Sequence, residues 1–398
     1  MDNLNWTNEI KKRTKSVPIR SGRSSKAGLI SFDDLVFVPT QLDKRPIDYF
    51  KETIKSKTIF GKKSKKPLKI STPIIIGGMS FGALSREAKI ALAMASSRAG
   101  IIANTGEGGM LKEERENADK LIIQYSTGRF GIKDEVLKQA DVIEIKIGQG
   151  AKPGSGGLLP QNKITPEIAE IRCVSGNEDI NSPAYHQDIK SIDDLKETII
   201  RLKKISGDVP IIIKLGAGNI EKDIEFAIKA FPDIIAIDGM EGGTGAAPEV
   251  MLDSVGIPTI PALVRARKKL NELKSECELW IGGGFNKGSD IAKALALGAD
   301  GVFMAFPFLI CMGCVYCQLC YLGKCPRGIA TQDPELRKKL DIEKSVENIT
   351  LFIKNCTEEI KMISGAVGKK DVHELNSEDL RSLTLEVSKA SGIDPVWK

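Results

Sequence analysis

The fold of this chain is indicated most clearly by residues 209–239, which read VPIIIKLGAGNIEKDIEFAIKAFPDIIAIDG. The stretch begins with an apolar run of strand length at residues 209–215 and ends with a second at residues 233–238. Between them, residues 221–230 carry apolar side chains three and four positions apart, which is typical of an amphipathic helix. A strand, a helix and a second strand in this order predict two parallel strands joined by a helical crossover.

The same alternation continues on both sides of this stretch. Strands are predicted at residues 71–77, 100–104, 121–125, 141–147, 209–215, 233–238, 278–283 and 300–305. Further helical patterns lie at residues 85–98, 192–205 and 287–297. Eight strands over roughly 240 residues favour a closed (β/α)₈ TIM barrel, with a doubly wound open sheet as the alternative. In both architectures the ligand lies at the carboxyl ends of the strands.

The 398-residue chain is long enough to add further parts to such a barrel. We predict a basic N-terminal extension at residues 1–70, the barrel at 71–310, a cysteine-rich loop at 311–330 and a helical C-terminal extension at 331–398. Within this last part, residues 345–363 and 377–387 show the clearest helical patterns.

Composition narrows the classes of function. The longest apolar runs have strand length, so we expect no membrane span, and the first residues lack the pattern of a secretory signal. Cysteines that cluster instead of forming a disulfide framework favour a reducing cytoplasm. Residues 51–69 contain eight lysines but almost no aromatic residue or arginine, so we expect no nucleic-acid binding. A solvated linker or a docking face for an acidic electron carrier explains this run equally well.

Residues 311–326 read CMGCVYCQLCYLGKCP and hold five of the eight cysteines. Cys314, Cys317, Cys320 and Cys325 follow the C-x-x-C-x-x-C form of iron–sulfur runs, with four residues instead of three before the final Cys-Pro. Soft thiolates select iron–sulfur clusters or zinc over hard cations. The run therefore predicts an iron–sulfur site and redox chemistry; a structural zinc site and a disulfide knot are the alternatives.

Glycine-rich loops follow five of the predicted strands, and glycine lets a backbone approach a flat ring closely. They read GGMSFG (77–82), NTGEGG (104–109), GAKPGSGG (150–157), DGMEGGTG (238–245) and GGG (282–284). Loops after the seventh and eighth strands are the usual phosphate site of such barrels. By contrast, Glu221 occupies a position where a dinucleotide-binding fingerprint requires glycine, so we do not expect a Rossmann site after residues 216–218.

Together these loops resemble a known family. The segments GGMSFGALS, NTGEGG, STGRFG, EIKIGQGAKPGSGG, DGMEGGTGAAP and CQLCYLGKCPRGIATQDPELRKK are similar to the FMN-binding synthase domain of glutamate synthase, in particular its archaeal-type stand-alone subunit. The similarity runs from about residue 32 to about residue 340. It implies a barrel that holds FMN beside an iron–sulfur cluster. In that chemistry ammonia condenses with 2-oxoglutarate to 2-iminoglutarate, and reduced FMN delivers a hydride to give L-glutamate.

The resemblance also implies roles for individual residues. Either Lys146 or Lys214 would lie near the pyrimidine edge of the flavin, where a cation stabilises the anionic reduced ring; a structural ion pair is the alternative for Lys146. The other residues expected at the cofactor are Gly78, Met79, Ser80, Thr105, Gly243, Gly283 and Gly284.

Three side chains are expected to act on the substrate. Lys152 and Arg172 would hold the oxygens of a dicarboxylate, with Arg172 binding in bidentate fashion. Glu107 would position the imine nitrogen or relay a proton, or else only tie its own loop. His186 matches a histidine of the family, and both a structural and a catalytic role are open for it.

For the cluster, the family's three ligands match Cys314, Cys320 and Cys325, which implies a 3Fe-4S cluster. Cys317 adds a fourth thiolate between them, so a 4Fe-4S cluster is the alternative.

Two departures from the family bear on substrate and partners. Leu158 replaces a substrate-binding glutamine, so the acceptor can be another 2-oxo acid and the donor ammonia or an amine. The chain also lacks the N-terminal cysteine of the glutaminase domain, and we expect a glutaminase-like subunit, a β-helical subunit and a ferredoxin or NAD(P)H-dependent reductase subunit as partners. Alternatives are the related FMN subunit of N-methylglutamate synthase (methylamine–glutamate methyltransferase), another FMN barrel oxidoreductase, and an electron-relay subunit.

Overall fold

The computed structural model describes residues 11, 14, 20–21, 30–244 and 247–398. Within these ranges eight parallel strands form one sheet in the order β1-β8-β7-β6-β5-β4-β3-β2. They are β1 (Ile74–Ile76), β2 (Ala103–Asn104), β3 (Leu121–Tyr125), β4 (Val142–Lys146), β5 (Ile211–Gly216), β6 (Ile234–Asp238), β7 (Glu278–Gly282) and β8 (Gly301–Met304). A parallel bridge between Ile75 and Ile102 joins the two edges of the sheet. The predicted (β/α)₈ barrel is therefore confirmed.

Helices pack around this sheet and continue beyond it. In the described ranges they are α1 (Arg86–Ala99), α2 (Lys112–Asn117), α3 (Asp134–Leu137), α4 (Pro166–Arg172), α5 (Ile192–Ser206), α6 (Ile220–Ile228), α7 (Glu249–Ser254), α8 (Thr259–Glu272), α9 (Gly288–Ala296), α10 (Phe306–Cys311), α11 (Pro334–Arg337), α12 (Ile342–Ala366) and α13 (Leu385–Ser391). Among the described residues we find no helix that combines the length and the apolar character needed to cross a membrane.

Alternation along the strands decides which side chains face the barrel interior. In β5, Ile211, Ile213 and Leu215 pack outward against the helices, whereas Ile212 packs in the interior. Because successive strand residues point to opposite faces, Lys214 shares the inward face with Ile212. The same period places Gln124 of β3, and Glu144 and Lys146 of β4, on the inward side. Polar residues thus collect at the carboxyl end of the barrel interior.

A hairpin closes the opposite end of the barrel. Strands Thr58–Phe60 and Leu68–Ile70 pair antiparallel, and the side chains of Phe60, Leu68 and Ile70 join the interior core with Trp280. The Phe60 and Trp280 rings meet edge to face with centroids 4.7 Å apart. With this end filled by apolar side chains, a ligand is expected only at the carboxyl end.

The C-terminal part differs from prediction at residues 377–387, where we expected one helix. Residues Leu380–Ser382 instead form a strand that pairs antiparallel with Leu35–Phe37. Hydrogen bonds to this neighbouring strand hold the backbone extended, and the helix begins only after Thr384, which caps α13. The predicted helix at 345–363 is confirmed as the longer α12. The division into four parts at residues 70, 310 and 330 stays a prediction.

Candidate functional site

The residues expected at the cofactor lie at one end of the barrel, because parallel strands bring their carboxyl ends together. Gly78, Met79 and Ser80 follow β1, and Thr105 follows β2. Lys146 ends β4, Lys214 lies near the end of β5, and Gly283 and Gly284 follow β7. Gly243 lies in the loop after β6, of which Gly245 and Ala246 are outside the described residues.

The turns after β1 and β2 are packed against each other. A Cβ atom on Gly78 would lie 2.9 Å from Gln124 Nε2, and one on Gly106 would lie 2.6 Å from the backbone nitrogen of Ser80. Gly106 also has a φ of 65°, a conformation that favours glycine. Both glycines are therefore required for the close approach of the two turns.

A buried lysine that sequence reasoning missed ties these turns together. Lys89, on α1, is 1% exposed, and its Nζ donates to the carbonyl oxygens of Met79 (2.8 Å), Asn104 (2.9 Å) and Thr105 (3.0 Å). It also pairs with Glu114 Oε1 at 2.7 Å. The signal that could have revealed it is a single charged residue on the apolar face of a predicted helix.

Lys146 and Glu107 form an ion pair at the mouth of the barrel. Lys146 Nζ lies 2.7 Å from Glu107 Oε2, and both side chains are largely buried. Burial alone would raise the pKa of Glu107, but Lys146, together with Ser182 and Lys152, lowers that pKa to about 2. Glu107 is therefore a carboxylate at neutral pH, and its Oε1 atom is buried without a hydrogen-bond partner among the described residues.

Lys214 is also paired. Its Nζ lies 3.2 Å from Asp238 Oδ2 and 4.7 Å from the centre of the Phe303 ring. Burial opposes the charge, but Asp238 and Glu144 outweigh it and raise the pKa of Lys214. Both lysines expected near the flavin are thus paired with a carboxylate near the strand ends.

Arg172 ends α4 and reaches the turn after β1. It is 5% exposed, and its Nη2 donates to the carbonyl oxygen of Phe81 at 2.7 Å. Burial lowers the pKa of Arg172 to about 10, while Glu107 acts to raise it. The guanidinium Nε is buried and has no hydrogen-bond partner in the described part of the chain. Nη2 is therefore anchored to the turn after β1, and Nε is a donor that no described residue uses.

Glu107 connects the residues that sequence analysis named for substrate binding. It interacts electrostatically with Lys146, with Lys152 and with Arg172. A cavity opens beside it, lined by Glu107, Thr127, residues 146–149, residues 155–157, Pro183 and Ala184. Glu107 and Lys146 line this cavity, whereas Lys152 and Arg172 act on Glu107 from outside that lining.

His186, which sequence analysis left open between two roles, is structural in this arrangement. It is 3% exposed, and its Nε2 lies 2.8 Å from the carbonyl oxygen of Lys146. Burial, followed by the charge of Arg129, lowers the pKa of His186 to about 4. Because both ring nitrogens contact the protein, His186 has no nitrogen left for a substrate.

The glycines after β7 pack against the start of α8. A Cβ on Gly283 would lie 2.6 Å from Thr259 Oγ1, and Gly283 has a φ of 117°. Thr259 Oγ1 donates to Glu241 Oε2 at 2.6 Å. Gly283 is thus required to fit the loops after β6 and β7 together; its expected contact with a flavin phosphate stays a prediction.

The four cysteines expected at the cluster lie in the loop after α10. Burial, then the neighbouring thiols of Cys325, Cys314 and Cys317, raise the pKa of Cys320 to about 11. Lys163 Nζ donates to the Cys320 carbonyl oxygen at 2.5 Å. Among the described residues no three Cys, His, Asp or Glu side chains are grouped closely enough to hold a metal ion. The donor set, four cysteine thiols in one loop, nevertheless has the chemistry that an iron–sulfur cluster requires.

Comparison with known proteins assigns the family. The family described as "Conserved region in glutamate synthase" matches residues 6–370. The archaeal glutamate synthase [NADPH] of Archaeoglobus fulgidus is 38% identical, covering 96% of this chain and 81% of the relative. A glutamate synthase large subunit-like protein of Rhizobium meliloti is 37% identical, covering 92% of this chain and 88% of the relative.

Solved structures support the fold. A mandelate oxidase variant with (S)-mandelic acid has a TM-score of 0.57 at 15% identity, covering 91% of both chains. A lactate oxidase of Pediococcus acidilactici has a TM-score of 0.58 at 16% identity, covering 92% of this chain and 89% of that one. At 15–16% identity these likenesses concern the fold alone, whereas the sequence matches assign the family. The chain belongs to the glutamate synthase family of oxidoreductases.

Proposed function

We propose that the chain is the FMN- and iron–sulfur-dependent synthase subunit that reductively aminates 2-oxoglutarate, through 2-iminoglutarate, to L-glutamate. The observation that carries the proposal is the group at the barrel mouth, where Glu107 interacts with Lys146, Lys152 and Arg172. Lys152 and Arg172 suit a substrate with two carboxylates, and the carboxylate of Glu107 suits the nitrogen that must be added to it.

The flavin would be held by the turn at Gly78, Met79 and Ser80, by Thr105, by Lys146 and Lys214, and by Gly243, Gly283 and Gly284. When bound, FMN supplies the hydride that completes the reductive amination. Lys214 contributes a buried cation, and a cation beside the ring favours the anionic reduced form. The turns after β1 and β2, tied by Lys89, present backbone instead of side-chain bulk to a flat ring.

Substrate binding falls to Arg172 and Lys152. Arg172 is anchored through Nη2 to the turn after β1, and its Nε can donate to a carboxylate of the 2-oxo acid. Lys152 supplies a second cation from the loop after β4. This division of roles fixes one end of a dicarboxylate by geometry and the other by charge.

Glu107 holds the nitrogen in this proposal. With a pKa of about 2 it has no proton to donate at neutral pH, so it accepts a hydrogen bond from an N–H group through Oε1. A role for Glu107 as general acid is therefore set aside, and its carboxylate orients ammonia or the imine against the substrate carbon.

The proposal extends to partners and location. An iron–sulfur cluster would be held by Cys314, Cys317, Cys320 and Cys325 and would supply electrons to the flavin, and the names of the relatives carry NADPH. A ferredoxin or NAD(P)H-dependent reductase subunit, a glutaminase-like subunit and a β-helical subunit would complete the enzyme in the cytoplasm.

The proposed activity is tested by product analysis. The anaerobically purified chain, photoreduced and given 2-oxoglutarate with ¹⁵N-ammonium, should form ¹⁵N-glutamate in proportion to its flavin content. N-methylglutamate formed from methylamine in place of glutamate would instead identify the N-methylglutamate synthase type of subunit. Leu158, which offers no polar group to the acceptor, is the feature that favours this second function. If neither product formed, the chain would be interpreted as an electron-relay subunit.

A further inference from the structure

The loop that contains Ser182, His186 and Asp188 contacts both members of the Lys146–Glu107 pair. Ser182 lowers the pKa of the Glu107 carboxylate, and its Oγ accepts from the Gly157 backbone N–H at 2.7 Å. His186 bonds the Lys146 carbonyl oxygen at 2.8 Å. A single loop therefore contacts both members of the ion pair.

The tautomer of His186 follows from its neighbours. Arg129 Nη1 lies 2.6 Å from His186 Nδ1. A guanidinium only donates, so Nδ1 must accept and cannot carry the ring proton. The proton therefore lies on Nε2, which donates to the Lys146 carbonyl oxygen. With a pKa of about 4, set by burial and then by Arg129, the ring stays neutral and the bond keeps this direction.

Arg129 is itself fixed from several directions. Its Nη2 donates to both oxygens of Asp188, at 2.7 and 2.9 Å, and its guanidinium lies 3.7 Å above the Tyr125 ring. Tyr125 and His186 are stacked, with ring centres 6.0 Å apart and an angle of 11°. Arg129 has a φ of 51°, a conformation that non-glycine residues adopt only when their surroundings hold them there.

We propose that His186, clamped by Arg129 and Asp188, is a positioning residue that sets the orientation of Lys146 and hence of the Lys146–Glu107 pair. This inference rests on the proposed function, because it assumes that Glu107 acts on the nitrogen. The clamp consists of His186, Arg129 and Asp188, which all belong to this chain. It fixes the backbone of Lys146 at the end of β4, so that the ammonium stays at Glu107 Oε2, while Oε1 is buried without a hydrogen-bond partner among the described residues.

Nuclear magnetic resonance tests the clamp without any catalysis. The chain has two histidines, so ¹⁵N-histidine labelling with His373→Gln for assignment isolates the His186 ring. We expect the neutral Nε2–H tautomer between pH 6 and 8. Arg129→Met, which cannot donate to Nδ1, should make His186 titrate at higher pH. The matched control is Arg201→Met, because Arg201 also contacts Tyr125, through its hydroxyl at 2.8 Å, without touching His186. An Nδ1–H tautomer in the wild type, or equal shifts in both variants, would overturn the clamp.

Kinetic measurements test the effect of the clamp on the Lys146–Glu107 pair. In His186→Phe we expect flavin reoxidation by 2-oxoglutarate and ammonium to slow by about tenfold to a hundredfold, as for other misplaced catalytic groups. The acid limb of the pH profile should move to higher pH, because a displaced Lys146 no longer holds the pKa of Glu107 down. His186→Gln, whose amide can donate to the Lys146 carbonyl oxygen, should recover part of the rate. An unchanged rate and profile in His186→Phe would contradict the inference.

The two failures are distinguishable. A wild-type chain that is never reoxidised by a 2-oxo acid and an amine would refute the proposed function, and the resonance experiment would still decide the clamp. If His186→Phe does not fold, the rates of flavin reoxidation in Arg129→Met and Arg201→Met are compared instead. An equal loss of rate in those two variants would then count against the inference.

Discussion

Lys146 Nζ and Glu107 Oε2 lie 2.7 Å apart at the carboxyl end of the barrel, although the two residues come from different strand-end segments. The pair keeps Glu107 ionised in a buried setting that by itself favours the neutral acid. It also leaves one carboxylate oxygen without a hydrogen-bond partner among the described residues. This combination of fixed charge and open acceptor is the basis of the proposed site.

The pair makes stability depend on pH in a defined window. The pKa of Glu107 is about 2 in the folded chain, below its ordinary value of 4.5. Its contribution is therefore fully present above pH 4.5 and is lost as the pH falls toward 2. Glu107→Gln removes that contribution, so the gap in unfolding free energy between wild type and variant should narrow as the pH falls from about 5 to 3. Urea unfolding measures it, and a gap that stays constant with pH would contradict the ion pair.

The turns after β1 and β2 predict a glycine requirement for flavin binding. Gly106→Ala places a methyl group 2.6 Å from the backbone nitrogen of Ser80 and should displace the turn expected to hold FMN. Gly392→Ala is the matched control, because Gly392 has a similar φ of 73° but no neighbouring atom within 4 Å among the described residues. Both variants place an alanine in a left-handed backbone conformation, which costs about 1–2 kcal/mol. Acid-released flavin per chain should fall only in Gly106→Ala, and equal retention in both would count against this cofactor site.

The barrel could be predicted because the alternation of its strands and the three-and-four spacing of its helices are both visible in the local sequence. Residues 121–125 are a strand in both prediction and structure, and alternation in β4 and β5 is enough to turn Lys146 and Lys214 inward. The contacts of Lys89 could not be predicted, since its acceptors are three backbone carbonyl oxygens in two separate turns. Residues 377–387 have helical spacing, yet pairing with Leu35–Phe37, more than 300 positions away, decides their conformation.

Arg172 should contribute to substrate affinity more than to flavin binding. Arg172→Lys keeps a cation but cannot bond the Phe81 carbonyl oxygen and a ligand with the same rigid geometry. A charge-assisted contact is worth about 1.5–3 kcal/mol, so the apparent affinity for 2-oxoglutarate should fall about tenfold to a hundredfold. Titration of the reduced protein with 2-oxoglutarate measures this, with flavin content as the control. An unchanged affinity would remove Arg172 from the substrate site.

The cysteine loop gives a prediction for metal content. Cys320→Ser should lose iron and sulfide, because each cluster iron needs its thiolate ligand. Cys311→Ser is the matched control, since the backbone of Cys311 is held by Asn348 of α12 and its thiol lies outside the predicted ligand set. Cys317→Ser distinguishes the cluster types: iron is retained for 3Fe-4S and falls for 4Fe-4S. Full iron and sulfide content in Cys320→Ser would refute the assignment.

The central claim is that this chain passes a hydride from its flavin to an aminated 2-oxo acid. Its most direct test is single-turnover reoxidation of the anaerobically reduced chain, followed by flavin absorbance. We predict that 2-oxoglutarate with ammonium, or with another amine, reoxidises the flavin faster than buffer or either substrate alone, and that Glu107→Gln loses this acceleration. If no 2-oxo acid and amine, supplied together with the partner subunits, exceed the rate in buffer, the chain does not catalyse the proposed reaction.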